Sequence, residues 1–127
     1  MEAVVIVTVL ALMQYLFFTF QVGGSRARTG VKAPAMAGDP DFEVTSRIHQ
    51  NTMEQLVMFI PALWLYASYV NPLWGAGIGL VYIVGRFIYR AAYLKDPSNR
   101  GLGFALSFLP STVMLLWVLV VATISYF

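Results

Sequence analysis

The amino-acid sequence predicts an all-α membrane protein, a bundle of four transmembrane helices, and three observations carry that expectation. Hydrophobic residues fill 59% of the 127 positions and charged ones only 11%, against about 25% charged in an average soluble domain; mean hydropathy is +0.73. Long apolar stretches recur between short loops, each near the roughly 20 residues a spanning helix needs. All eight cationic residues lie in or next to two segments, 25–54 and 86–100. The positive-inside bias then places both segments on the cytoplasmic side, with the termini and the Asn71–Pro72 turn outside. The length accommodates a single four-helix transmembrane domain over 1–127, with helices at about 3–27, 41–70, 73–94 and 103–126, and no separate soluble domain.

The first helix has no charge from residue 3 to 24, only the isolated polar interruptions Gln14 and Gln21. Its cations, Arg26 and Arg28, follow the apolar run instead of preceding it, and the run exceeds a signal-peptide core, so a spanning helix is the expected reading. Gly23 and Gly24 are expected to fray its end. The loop at about 29–40 carries Gly30, Pro34, Gly38 and Pro40, which keep it from extending either helix.

Asp39 or Asp41 then supplies an N-cap for the second helix, and Glu43 in its first turn suits the helix dipole. Pro61 is expected to kink it. The apolar run 56–69 is too short to cross a bilayer by itself, so a spanning helix must include Asn51 and Glu54. An ionised group at that depth costs on the order of 2.5–3.5 kcal/mol, so it should face protein or a wet cavity. At about 100° per residue, Arg47, Asn51 and Glu54 share one face and His49 points the other way.

After the Asn71–Pro72 turn, the third helix opens with Gly75, Gly77 and Gly79. The run GAGIG lacks the preceding strand a nucleotide loop requires; Gly75 and Gly79, four apart, instead let helices approach closely. Tyr82, Arg86, Tyr89 and Tyr93 then recur at steps of four, three and four, a single stripe. Read singly, Tyr93 would belong to an interfacial belt. Arg86 lies deeper, because the uncharged run before it is only 73–85. Counting at about 1.5 Å per residue from the shared turn puts Glu54 level with Arg86, Asn51 with Tyr89 and Arg90, and Arg47 with Tyr93. A polar column between the two helices follows, with Glu54 and Arg86 as an expected ion pair. The loop KDPSNR and an uncharged fourth helix containing Pro110, Trp117 and Tyr126 complete the chain, the last helix as packing.

There is no cysteine, so disulfides, thiolate ligands and a protein-borne thiol nucleophile are excluded. Any sulfur chemistry must come from a substrate. A basic, tyrosine-lined cavity bordered by lipid suits a ligand bearing carboxylates and an ammonium: arginines bind carboxylates through forked, charge-assisted bonds, and Glu54 can hold the ammonium. An arginine beside a thiol also favours its thiolate form. Two other readings compete. A buried polar network can simply fix the register of a membrane bundle. A proton or ion pathway would need polar groups across the whole bilayer, and the outer halves of the helices lack them.

The run RIHQNTME at 47–54, preceded by DPDFE and followed by VYIVGRFIYRAAYL and PSNR, resembles the membrane-associated proteins in eicosanoid and glutathione metabolism, the MAPEG family, which includes microsomal glutathione transferases. The likeness extends from about Gln21 to about Pro110. It implies a homotrimer of four-helix protomers with glutathione bound at subunit interfaces near the cytoplasmic side, in a bacterial inner membrane or the endoplasmic reticulum. Carried onto this sequence, it assigns glutathione contacts to Arg47, Asn51, Glu54, Arg86, Tyr89 and Tyr93. Arg26 and His49 fall on the neighbouring subunit's side of the site, and Arg100 is the catalytic, thiolate-stabilising group.

Gln55 stands where the cysteinyl-leukotriene synthase branch has tyrosine, Ala27 where that branch has a second arginine, and Gly101 where the prostaglandin E synthase branch has serine. The resemblance therefore implies a broad glutathione transferase rather than either specialised synthase, with reduction of lipid hydroperoxides as a second activity. Its expected partners are glutathione as co-substrate, a lipophilic electrophile or lipid hydroperoxide, and membrane lipid, with no metal and no nucleic acid. The alternatives are a non-catalytic lipid- or fatty-acid-binding scaffold of the same fold and a specialised eicosanoid synthase, making prostaglandin E or cysteinyl leukotrienes.

Overall fold

The computed structural model describes residues 1–96, 98–99 and 101–127. Four helices follow one another, α1 (Glu2–Thr29), α2 (Pro40–Tyr69), α3 (Pro72–Lys95) and α4 (Gly101–Tyr126), and no strand occurs among the described residues. Three of them, α1, α3 and α4, are long and apolar enough to cross a membrane. The fourth, α2, is 30 residues long, about 45 Å, and packs against all three others. Its polar groups can therefore face protein where a lipid-exposed helix could not bear them.

The helix ends have local causes. Gly23 and Gly24 do not fray α1, which continues to Thr29 and stops at Gly30, where φ is 80° and the backbone N–H bonds to the carbonyl of Arg26. Glycine without a positive φ is tolerated inside a helix; the left-handed residue is what ends it. Asp39, not Asp41, caps α2: its Oδ1 accepts from the backbone N–H of Asp41 at 2.9 Å and of Phe42 at 3.3 Å, with Pro40 at the first helical position. Asn71 repeats the device at α3, accepting from Leu73 and Trp74 ahead of Pro72. In the loop after α3, the backbone and then the hydroxyl of Ser98 donate to Asp96 and hold its carboxyl below the usual carboxylate range.

Helices α2 and α3 form the centre, with α1 and α4 on opposite sides and no contact between those two among the described residues. The apolar core runs through Val4, Val7 and Ala11 of α1, Phe59, Leu63 and Tyr66 of α2, Ala76 and Tyr82 of α3, and Met114 of α4. Close approach depends on glycine at particular places. A Cβ on Gly79 would lie 2.6 Å from Val7 Cγ1, and one on Gly75 would lie 3.2 Å from the Tyr66 ring, so the expected role of these two is observed. Gly85 lies nearly as close to Leu106, and tightest of all is Gly103, against the backbone of Tyr89. Buried polar groups also join helices. Gln14, which the sequence presents as a mere interruption, donates to the carbonyl of Ile83 at 2.8 Å, and Trp64 Nε1 donates to Thr8 Oγ1 at 3.0 Å.

Candidate functional site

The stripe Tyr82, Arg86, Tyr89 and Tyr93 faces the protein along its whole length; all four side chains are buried, so it is no interfacial belt. Arg86 is 0% exposed. Its Nη2 donates to Thr52 Oγ1 at 2.8 Å, and its guanidinium lies 4.3 Å from the centre of the Tyr89 ring. The Thr52 hydroxyl proton is committed to the Ile48 carbonyl at 2.7 Å, which leaves its lone pairs to accept from Arg86. Tyr89 in turn stacks on Tyr93, ring centres 5.5 Å apart.

The expected Glu54–Arg86 ion pair is not formed. Glu54 is exposed, and among the described residues the one ion pair joins the N-terminal amine to Glu2. Counting turns established the depth of both groups but not their direction. Glu54 is two residues beyond Thr52, about 200° around the helix, so when Thr52 faces α3 the carboxylate turns away. Among the described residues Arg86 Nε and Nη1 have no hydrogen-bond acceptor, and the buried oxygens Asn51 Oδ1, Gln55 Oε1 and Tyr82 OH have no partner either.

Above Arg86, a cavity of about 240 Å³ opens between α2, α3 and α4, lined by Arg47, Asn51, Tyr89 and Phe104. Three of the predicted site residues thus meet on one wall, and Arg86 and Tyr93 join them through Tyr89. Glu54 continues the Arg47–Asn51 stripe along α2 but does not line this cavity. His49 points toward α1, as the wheel requires: it stacks on Tyr15 with ring centres 4.6 Å apart, and its Nε2 lies 3.0 Å from Thr19 Oγ1. Arg26 does not line the cavity either; it donates to the carbonyl of Ala35 at 2.8 Å and lies over the Phe42 ring. Arg90, level with Asn51 by depth, turns to α1 and donates to Gln21 Oε1 at 3.1 Å. Arg100 lies outside the described residues.

Sequence reasoning missed Thr52, which holds Arg86, and Phe104, which closes the cavity. Thr52 lies inside the polar stretch on the face that a count of facing positions, rather than of depth, would have selected. Nothing in the apolar α4 singled out Phe104. Among the described residues no three carboxylate or imidazole groups converge as a metal site would require.

Three helices long and apolar enough to span a membrane, packed around a polar cavity walled by arginine, asparagine and tyrosine, describe an integral membrane protein. Residues 4–120 match the MAPEG family, and the chain belongs to it. Its relatives include an uncharacterised protein of Synechocystis, 42% identical over 86% of this chain and 80% of that one. Human microsomal glutathione S-transferase 2 is 39% identical over 80% of this chain and 69% of its own length. Bovine leukotriene C4 synthase is 30% identical over 90% and 73% respectively.

Proposed function

We propose that this protein is a membrane-bound glutathione transferase, which binds glutathione in the cavity between α2, α3 and α4 and presents its sulfur as a thiolate to lipophilic electrophiles. The observation that carries the reading is the wall of Arg47, Asn51 and Tyr89, with Arg86 beneath it. A guanidinium and an amide suit the carboxylates and peptide groups of glutathione. Relatives named as a glutathione transferase and as leukotriene C4 synthase support the same chemistry.

In this reading Arg47 binds a carboxylate, Asn51 bonds a peptide group, and Tyr89 and Tyr93 flank the ligand. Glu54 meets the α-ammonium at the open edge of the site. Arg47 and Glu54 are both exposed on the isolated protomer, which supports completion of the site by a second copy within a homotrimer. Arg26 and His49, on the α1 side of the bundle, are what that copy would bring. Arg100 stabilises the thiolate. The thiol proton passes to solvent, the sulfur forms a bond to the electrophilic carbon, and the leaving group departs or, on an epoxide, the ring oxygen takes up a proton. On a lipid hydroperoxide the same thiolate attacks the distal peroxide oxygen, the O–O bond breaks and the alkoxide takes up a proton to leave as alcohol, and a second glutathione converts the sulfenic acid to glutathione disulfide and water. The cationic end of the bundle, and with it the site, faces the cytoplasm.

The test is the ultraviolet absorbance of thiolate when glutathione is added to detergent-purified protein at neutral pH, with and without an aryl halide. A thiolate signal that collapses as conjugate forms is the expected result. Glutathione binding by calorimetry without any thiolate signal would replace this reading with the lipid-binding scaffold. Arg100→Ala is expected to reduce the thiolate fraction about tenfold, the effect of removing one nearby positive charge, while glutathione still binds. Parallel loss of binding and thiolate would make Arg100 a binding residue.

A further inference from the structure

A second basic cavity lies on the opposite face of the α2–α3 pair. It encloses about 250 Å³ between α1, α2 and α3, lined by Phe18, Gln21, Arg28, Thr45, Ile48, Arg90 and Leu94. Adjacent residues separate the two sites: Tyr89 faces the first, Arg90 the second. Arg90 is half-buried and held in place, bonded to Gln21 Oε1 at 3.1 Å with its guanidinium 5.4 Å from the centre of the Phe17 ring. Arg28 lies on the last turn of α1. Neither guanidinium has a carboxylate within ion-pair distance among the described residues. Asp41, at the first turn of α2, borders an adjoining recess of about 330 Å³ together with Arg28, so the joined space carries two positive charges and one negative.

We infer that this cavity binds the oxyanion headgroup of a membrane amphiphile between Arg28 and Arg90. Two arginines converging on one polar space recognise phosphate or carboxylate through forked hydrogen bonds. Basic pockets between helices at one membrane surface are where anionic lipid headgroups bind. The remaining walls argue for an amphiphile over a free ion. Phe18 and Ile48 form an apolar floor, and Phe17, Phe20 and Leu94 are exposed on the adjoining outer surface, where an acyl chain would lie. Arg90 is five residues from the end of α3, about 7.5 Å along its axis, a depth suited to a headgroup. Arg28 and Arg90 take no part in the proposed glutathione site, so this inference stands apart from that one.

The experiment is native mass spectrometry of the detergent-purified protein titrated separately with phosphatidylglycerol, phosphatidylcholine, oleate and inorganic phosphate. Phosphatidylglycerol, oleate or both are expected to bind in preference to phosphatidylcholine, the stronger of the two identifying a phospholipid or a fatty acid as the source. Arg28→Gln and Arg90→Gln are each expected to weaken that binding roughly fivefold. Arg90→Gln also cuts the bond to Gln21; Arg28→Gln, at an exposed helix end, keeps the test valid if the first variant folds poorly. Equal binding of phosphatidylcholine, unchanged affinity in Arg28→Gln, or inorganic phosphate binding as tightly as the amphiphiles would each overturn the inference.

Discussion

Arg86→Met is expected to reduce kcat/KM for glutathione conjugation about a hundredfold while leaving the melting temperature of the purified protein unchanged or higher. The two halves of that result come from different features of one side chain. Arg86 is fully buried, has no carboxylate partner among the described residues, and leaves Nε and Nη1 unbonded. Replacing a buried ion by an apolar side chain of similar volume is often neutral or stabilising, by about 1–4 kcal/mol. No donor is orphaned here, because Thr52 keeps its bond to the Ile48 carbonyl. The stacking on Tyr89 is lost, worth about 2 kcal/mol when desolvated, and that offsets much of the gain.

Function responds differently. The guanidinium supplies positive charge under the Tyr89 ring, beside the cavity where an anionic ligand would rest. Losing that field and the orientation of Tyr89 together is worth about 3 kcal/mol, roughly the hundredfold quoted. Arg86 is thus a positioning residue, and Arg86→Lys, which keeps charge but not the fork, should fall between. The readouts are thermal unfolding, kinetic constants and the pH dependence of thiolate absorbance. A stable Arg86→Met variant with full activity would remove the α3 stripe from the site. Joint loss of stability and activity would make Arg86 a clasp that sets the register of α2 and α3.

How much of this was legible follows from what a sequence encodes along one dimension. Composition and the two clusters of cations revealed a membrane bundle, since both depend on counts and positions alone. The step of four, three and four from Tyr82 to Tyr93 gave the inward stripe, because helical period is local. Depth matching brought Asn51 level with Tyr89, and the two do share a cavity. The same method failed for Glu54, because depth is a sum of residues whereas facing depends on how α2 is rotated against α3, and packing decides that. Thr52 won the place beside Arg86 by direction alone. The α4 wall was hidden for a related reason: an uncharged helix with little periodic contrast does not say which side touches Tyr89. Gly103 does, once the structure is known.

Gly103→Ala is expected to lower the melting temperature sharply and to weaken glutathione binding, whereas Gly77→Ala should leave both unchanged or raise stability. The substitution is the same, and both glycines lie inside helices, where alanine gains up to about 1 kcal/mol of helix propensity. What differs is the space outside. A Cβ at Gly77 would meet nothing within 4 Å, but one at Gly103 would run into the backbone of Tyr89, at its Cα and its nitrogen. Backbone cannot rotate aside as a flexible side chain does, so α4 must move away from α3. Overpacking of this kind costs about 1–3 kcal/mol and sometimes more, which exceeds the propensity gain. The shift also carries Phe104, the next residue, away from the cavity it lines. Binding should therefore weaken beyond what lost folded protein explains, measured by calorimetry on the fraction that remains folded. Equal stability of Gly103→Ala and Gly77→Ala would mean that α4 is free to slide on α3, and the cavity wall would no longer depend on that contact.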